Sequence, residues 1–370
     1  MTAVRTDKSV LSRWWWSVDR LTVMALLILA VAGIVLVTAA SPSVAERIGL
    51  HPFYFVRRQL VFLLPALGLM FGVSLMDRKM LWRTACVTLA GSIALVVLSL
   101  LTGTEVKGAT RWVSFMGGSL QPSEFIKPAF AVVSAWLMAR HHTEEKFRGR
   151  RLTMGIFLLI LCLLLLQPDL GMAFVVSCIW GVQVFLSGLP MMMIAGLAGV
   201  GLLGIFVAYQ VFPHVSSRID RFLDPAAGDN YQVQKSLDAF SHGGLLGTGP
   251  GRGQVKMTLP DAHADFIFAV AGEEFGTIAA TIIILLFCFI IIRSITRIFR
   301  SDDLFTLLAV AGLLAQLGLQ SLIHMGSSLQ LLPAKGMTLP FISYGGSSLL
   351  AMGLGMGMLL ALTRKGVQNS

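Results

Sequence analysis

Three acids stand close together in an otherwise apolar stretch: Asp265, Glu273 and Glu274. They lie in the run Leu259-Pro260-Asp261-Ala262-His263-Ala264-Asp265-Phe266, which continues to Gly272-Glu273-Glu274-Phe275-Gly276. An ionised acid at membrane depth costs about 2.5 kcal/mol or more, so it is rarely there without a job. A carboxylate at the mouth of an apolar helix can take the proton of an attacking hydroxyl, which is general-base chemistry. The plainer reading is a helix start. Acids in a first turn are favoured by the helix dipole; Asp261 after Pro260 suits an N-cap, with His263 and Asp265 in the first turns. Capping does not account for the two glutamates. On an ideal helix Glu273 lies about 80° from Asp265 and Glu274 about 180° away. Asp265 and Glu273 are therefore expected to line one cavity, and Glu274 to face another helix.

Cations supply the complementary chemistry. Arg111 follows Glu105-Val106-Lys107-Gly108-Ala109-Thr110, and Lys127 ends the run Gln121-Pro122-Ser123-Glu124-Phe125-Ile126-Lys127. Arginine's planar fork suits phosphate, so Arg111 and Lys127 are candidates for an anionic group. The alternative is a helix capped by Ser123 and carrying an i, i+3 pair between Glu124 and Lys127. Lys335 is a further candidate, in the run Leu332-Pro333-Ala334-Lys335-Gly336-Met337-Thr338-Leu339-Pro340. The serines after it, Ser343, Ser347 and Ser348, are of the type that mediates close helix packing. The run from Gly243 to Gly253 holds repeated glycines. It is not a phosphate-binding P-loop, since no Gly-Lys-Ser/Thr follows a strand, and a flexible loop is the default reading. His324, with Gln316 and Gln320 earlier on the same apolar helix, reads as a packed, hydrogen-bonded histidine. Asp169, in the Gln167-Pro168-Asp169-Leu170-Gly171 break, marks either a tight hairpin or a broken helix.

The elements that must position these groups are membrane spans. Of 370 residues, 55% are hydrophobic and only 13% charged, and the mean hydropathy is +0.78. A soluble domain carries about twice that charged fraction. The fold class is all-α, polytopic. Ten segments approach the ~20 residues a bilayer requires, near 20–41, 56–76, 80–101, 124–140, 152–167, 171–187, 190–212, 265–293, 304–326 and 339–363. They form a single integral membrane domain over 1–370, with one large extracytoplasmic loop at 213–264. The first apolar run is too long for a signal h-region, and Trp14, Trp15 and Trp16 before it suit an interfacial belt. Cys86, Cys162, Cys178 and Cys288 fall in apolar segments and read as core residues without a disulfide framework.

Lysine and arginine placement sets the orientation. One side would hold Arg5, Lys8, Arg13, Arg20, Arg78, Lys79, Arg83, the basic stretch from Arg140 to Arg151, Arg293, Arg297, Arg300, Arg364 and Lys365. The short loops opposite hold Arg47, Arg57, Arg58, Lys107, Arg111, Lys127 and Lys335. Both termini are thus expected in the cytoplasm, and the three informative polar stretches on the outer face. The net charge of +10 reflects this topology rather than nucleic-acid binding.

Together these stretches resemble the SEDS family (shape, elongation, division, sporulation) over nearly the whole chain. The most specific pieces are His263-Ala264-Asp265-Phe266-Ile267-Phe268-Ala269 with Gly272-Glu273-Glu274, and the run from Lys335 to Ser348. The Leu332 to Pro340 form is closer to the division members than to the elongation members. The resemblance implies a glycosyltransferase that polymerises lipid II, a disaccharide-pentapeptide on undecaprenyl pyrophosphate, during cell division at the septum of a bacterial inner membrane. It places the family's essential aspartate on Asp265, and its basic and polar site positions on Arg111, Glu124, Lys127 and Lys335. It also implies a class B penicillin-binding transpeptidase and other division-complex membrane proteins as partners, alongside membrane lipids. Two positions depart from the family pattern. Ala264 stands for a usual threonine and His324 for a usual asparagine, so local geometry is in question while the acid is intact.

The chemistry then has named parts. Asp265 is the candidate base, and Arg111, Lys127 and Lys335 stabilise the pyrophosphate leaving group. A divalent cation, magnesium or manganese, is a further candidate for that role; no organic cofactor is expected. Glu273, His263 and Ser343 are candidates for supporting the acid. A lipid II flippase is the rival, with Asp169 as its most useful residue, and a non-enzymatic division scaffold is a third reading. Clustering of the ionisable groups on the outer face favours the enzyme.

Overall fold

The computed structural model describes residues 10–102, 111–115, 118–144, 146–211, 216–217, 219–220, 222, 231–299, 303–333 and 336–364. A short helix α1 (Val10–Ser17) leads into α2 (Arg20–Arg47), α3 (Tyr54–Ser74) and α4 (Arg78–Thr102). A small hairpin of β1 (Val113–Phe115) and β2 (Gly118–Leu120), antiparallel with Val113 opposite Leu120, precedes α5 (Ser123–Thr143). Then follow α6 (Gly149–Leu166), α7 (Leu170–Leu186), α8 (Met191–Val211) and α9 (Tyr231–Gly243). The chain closes with α10 (Ile267–Ile298), α11 (Leu304–Ser328) and α12 (Gly346–Leu362). Long helices α2 to α8 and α10 to α12 stand where the ten spans were expected. Six of them, α2, α3, α4, α6, α10 and α11, are long and apolar enough to cross a membrane by length and composition, and α7 and α12 are shorter apolar helices.

Helix ends follow local chemistry. Asp169 caps α7 by accepting from the Met172 amide at 3.3 Å, and Asp303 caps α11 by accepting from Thr306 N at 2.9 Å. The Gln167 to Gly171 break is therefore a tight hairpin. The core lies around α12, whose residues from Ser347 on are almost all buried. It packs on α3 and α5. A Cβ at Gly353 would strike the backbone of Ala66, so small residues are what let α12 and α3 close up.

Both described chain ends lie on one side. Arg293 donates to the Asp19 carboxylate at 2.7 and 2.9 Å, Arg297 pairs with it at 3.1 Å, and Arg297 also donates to Thr363 O. Burial would raise the Asp19 pKa, but bonds from Arg293 and Thr22 and the charge of Arg297 hold it below the usual carboxylate range.

Three expectations change. The last span begins at Gly346 rather than 339, because 339–345 forms a non-helical entry with Phe341 at φ 62°. The eighth begins at Ile267, so Asp265 stands ahead of it and the ideal-helix phase does not carry from Asp265 to the glutamates; the helix is interrupted just after them at Gly276 (φ 79°, ψ 173°). Among the cysteines, Cys162 and Cys288 are exposed on helix surfaces rather than in the core.

Candidate active site at the outer face

Asp265 sits in a turn, not in a helix. The Asp261 carbonyl accepts from Ala264 N at 2.9 Å and Asp265 N at 3.0 Å, which closes the turn ahead of α10. The N-cap of α10 is Phe266, so Asp261 acts through its backbone, at φ 50°, and not as a cap. Aspartate tolerates this left-handed region better than most residues. Two neighbours hold the turn. Arg47, at the end of α2, donates to Leu259 O at 2.7 Å. Ser343, in the 337–345 segment, donates to Ala264 O at 2.7 Å and accepts from Leu339 N at 2.8 Å. The expected supporting role of Ser343 thus takes the form of a backbone clamp.

His263 is buried. Its ring lies 3.9 Å from the Phe55 ring and 5.2 Å from Tyr344, and its carbonyl accepts from Tyr344 N at 3.0 Å. Burial, only partly offset by the nearby charge of Asp261, pushes its pKa down to about 4. It is therefore a neutral packing group beside the acid. The Asp265 side chain, part-exposed, points toward Gly336, where a Cβ would come within 3.2 Å of Oδ2. Lys335, the neighbour of Gly336, lies outside the described residues.

Behind this mouth runs a polar chain. Lys127 is fully buried in α5, 2.8 Å from Glu124 and 2.9 Å from Gln320 Oε1 on α11. Gln320 Nε2 donates to Thr338 O at 3.1 Å, and Thr338 donates its hydroxyl proton to Ser348 at 2.6 Å. Lys127 is thus not the outer-loop cation that was counted, but a buried group that fixes α5, α11 and the segment carrying Gly336. Gln320 and Thr338 are the site residues that sequence reasoning missed as such; the nearest signal was the glutamine's place in an apolar helix. His324 is packed as expected, with Nδ1 2.7 Å from Met337 O.

Arg111 is held at the α6–α7 hairpin. It donates from Nε to Gln167 O at 3.2 Å and from Nη2 to Pro168 O, and its Nη1 lies 3.7 Å from Asp169. About a third of its side chain remains exposed. Asp169 is thereby a cap and an arginine partner, which explains it without a transport role.

The two glutamates belong to a different construction. Glu273 Oε1 accepts from Val255 N at 2.7 Å and lies 3.0 Å from His242 Nδ1, while Oε2 accepts from Lys256 N at 2.9 Å. Glu274 accepts from Gly251 N at 2.9 Å and pairs with Lys256, whose ammonium also donates to Ala39 O on α2. Glu273 is therefore occupied by the loop rather than lining a cavity with Asp265, and Glu274 faces that loop rather than another helix. The same loop repairs the break at Gly276. Thr277 and Ile278 donate to Gly244 O and Leu245 O, while Thr248 and Gly249 donate to Glu273 O and Glu274 O. A Cβ on Gly243, Gly247 or Gly276 would collide with the opposing backbone. The glycine run is thus a fitted patch, not a flexible loop. Lys256 was invisible to sequence reasoning because nothing local marks it as the partner of Glu274.

Among the described residues, no three His, Cys, Asp or Glu side chains converge as a metal cage would require.

Comparison with known proteins bears on this arrangement. The family model described as cell cycle protein, which groups FtsW, RodA and SpoVE, matches residues 19–367. A probable peptidoglycan glycosyltransferase FtsW of Caulobacter vibrioides is 41% identical over 98% of this chain and 93% of its own length. One from Escherichia coli O6:H1 is 33% identical over 90% and 83%. Among solved structures, a chain of a peptidoglycan synthase complex that coordinates polymerization and crosslinking superposes with TM-score 0.77 at 28% identity, covering 94% of this chain and 98% of that one. Thermus thermophilus RodA, a rod shape determining protein, gives TM-score 0.70 at 27% identity over 94% and 97%.

Proposed function

The chain belongs to the cell cycle protein family of FtsW, RodA and SpoVE and is a multi-pass membrane peptidoglycan glycosyltransferase, and we propose that Asp265 is the base of its reaction, with lipid II as the substrate. One lipid-linked sugar offers a hydroxyl. As that oxygen attacks the anomeric carbon of a second, its proton passes to the Asp265 carboxylate. The new C–O bond forms while the bond from the anomeric carbon to the lipid pyrophosphate breaks, and the electron pair leaves on the pyrophosphate.

The leaving group carries its own charge and needs cations more than an acid. Arg111, one-third exposed at the hairpin, and Lys335 are the cations we assign to it. Lys127 and Glu124 act from behind, holding Gln320 and the segment that faces Asp265. The observation that carries this reading is the contrast in the opening run. Asp265 is a part-exposed acid in a turn pinned from two sides, while both glutamates are buried and filled by the loop.

We place the reaction on the outer face of the cytoplasmic membrane, at the division septum, next to a class B penicillin-binding transpeptidase. A synthase complex among the structural relatives supports such a partner. The test is glycan polymerisation from lipid II by the purified protein with its transpeptidase. Asp265→Asn and Asp265→Ala should each abolish it while thermal unfolding stays as in the unaltered chain. Polymerisation at the unaltered rate by either variant would refute the assignment of Asp265.

A further inference from the structure

A cleft of about 680 Å³ opens on the side opposite the Asp265 mouth. It lies where the start of α4, the end of α5 and the start of α11 meet. By the charge distribution this is the cytoplasmic surface. Its walls carry four permanent cations, Arg78, Lys79, Arg83 and Arg140, against two carboxylates, Asp303 and Glu144. Arg78 pairs with Asp303 at 3.1 Å and Arg140 with Glu144 at 2.9 Å. Lys79 and Arg83, one turn apart on α4, are exposed. Two aromatic rings line the same cleft, Trp82 and Trp136, with centroids 4.5 Å apart, and Arg140 lies 5.1 Å over the Trp136 ring.

Positive charge on the inner side has a topological reason of its own. That reason asks for nothing but cations near the span ends. It does not ask for a concave site, for a tryptophan pair in its wall, or for donors without acceptors. Trp82 Nε1 and Arg78 Nε are both buried and without a hydrogen-bond partner. A buried N–H left unpaired is costly, and both donors belong to residues that line the cleft. The outward face of α4 continues from here as apolar surface, with Met80 55% and Val87 74% exposed. A ligand with an anionic head at the cleft and an apolar tail along α4 matches this layout.

We infer that this cleft binds the phosphate headgroup of an anionic phospholipid of the inner leaflet. The phosphate oxygens would take the exposed cations Lys79 and Arg83 of α4, and the acyl chains would lie against α4. The inference is independent of the reaction at Asp265.

The test uses the delipidated full chain in detergent, titrated with phosphatidylglycerol, with phosphatidylcholine and with inorganic phosphate, and read by native mass spectrometry. Phosphatidylglycerol should be retained and phosphatidylcholine should not. The pair Lys79→Ala and Arg83→Ala, both at exposed positions, should weaken phosphatidylglycerol retention by about tenfold. Unchanged retention in the double variant would overturn the site, as would equal retention of phosphatidylcholine. Displacement of the lipid by inorganic phosphate at equal concentration would assign the cleft to a soluble phosphate instead. Folding of the variant is controlled by its thermal unfolding, and Lys79→Gln with Arg83→Gln provides a second, milder pair.

Discussion

Asp265 and the Glu273–Glu274 pair stand a few residues apart in sequence, yet the fold treats them in opposite ways. The glutamates are wholly buried. Their oxygens meet backbone amides of the 249–257 loop, the Lys256 ammonium and His242, and their carbonyls repair the Gly276 break. Asp265 is left part-exposed in a turn whose backbone, not its carboxylate, is clamped by Ser343. Buried acids saturated by fixed donors hold a structure together. Asp265, part-exposed in a turn pinned through its main chain, stands where a substrate can reach it. The contrast places architecture and chemistry in adjacent residues without mixing them.

The sharpest way to break this comparison is to neutralise each acid separately. Asp265→Asn should lower polymerisation by about 10²–10⁴-fold, the usual contribution of a general base, with thermal unfolding unmoved. Lys256→Met should do the reverse. It leaves Glu274 charged in the interior with only the Gly251 amide as donor, a loss of about 3–5 kcal/mol, read as a lower unfolding temperature in detergent. Adding Glu274→Gln to Lys256→Met should recover much of that stability, because the uncompensated charge goes with it.

Gly276→Ala tests the patch from the backbone side. The residue would sit at φ 79° with its Cβ against Leu245 O and Gly247 N. A cost of about 2 kcal/mol or more is expected from the conformation alone, again in the unfolding temperature. Ser343→Ala should fall between the two regions. Removing the clamp leaves Ala264 O and Leu339 N without their partner, worth about 1–3 kcal/mol. Polymerisation should drop while the chain still folds. Equal activity in Ser343→Ala would mean that the turn needs no clamp.

The smallest effect is on acid stability. Burial holds His263 neutral, with a pKa of about 4 against an ordinary 6.5. Protons therefore bind the unfolded chain first. The folded state keeps this part of its stability above pH 6.5 and loses it as pH falls toward 4. His263→Phe should remove that component from a pH series of unfolding temperatures.

Much of the fold was legible in the sequence because a bilayer imposes a length and an apolar composition on each span. The segments near 20–41 and 304–326 needed no tertiary information, and Asp169 with its proline marked a break, which the fold resolved as a hairpin. The division of the acidic run was not legible. A 100° phase assumes that both residues share one helix, and Asp265 lies in a turn ahead of the helix start at Ile267. Lys127 shows the same limit. Its spacing to Glu124 suggested an ion pair, and its sign suggested a phosphate contact. Only packing against Gln320 decided that its charge is spent inside the protein.

The sequence by itself determined the spans, their orientation and the presence of an acid with cations on the outer side, because hydropathy and charge act locally and are read one segment at a time. Tertiary structure alone decided which acids are buried. The glutamates' partners come from the 249–257 loop and from His242 on α9, well removed in sequence. Nothing in a residue's own neighbourhood says which backbone amides will reach it. For the opening run, the difference in burial is what separates the acid assigned to chemistry from the two that secure the fold around it.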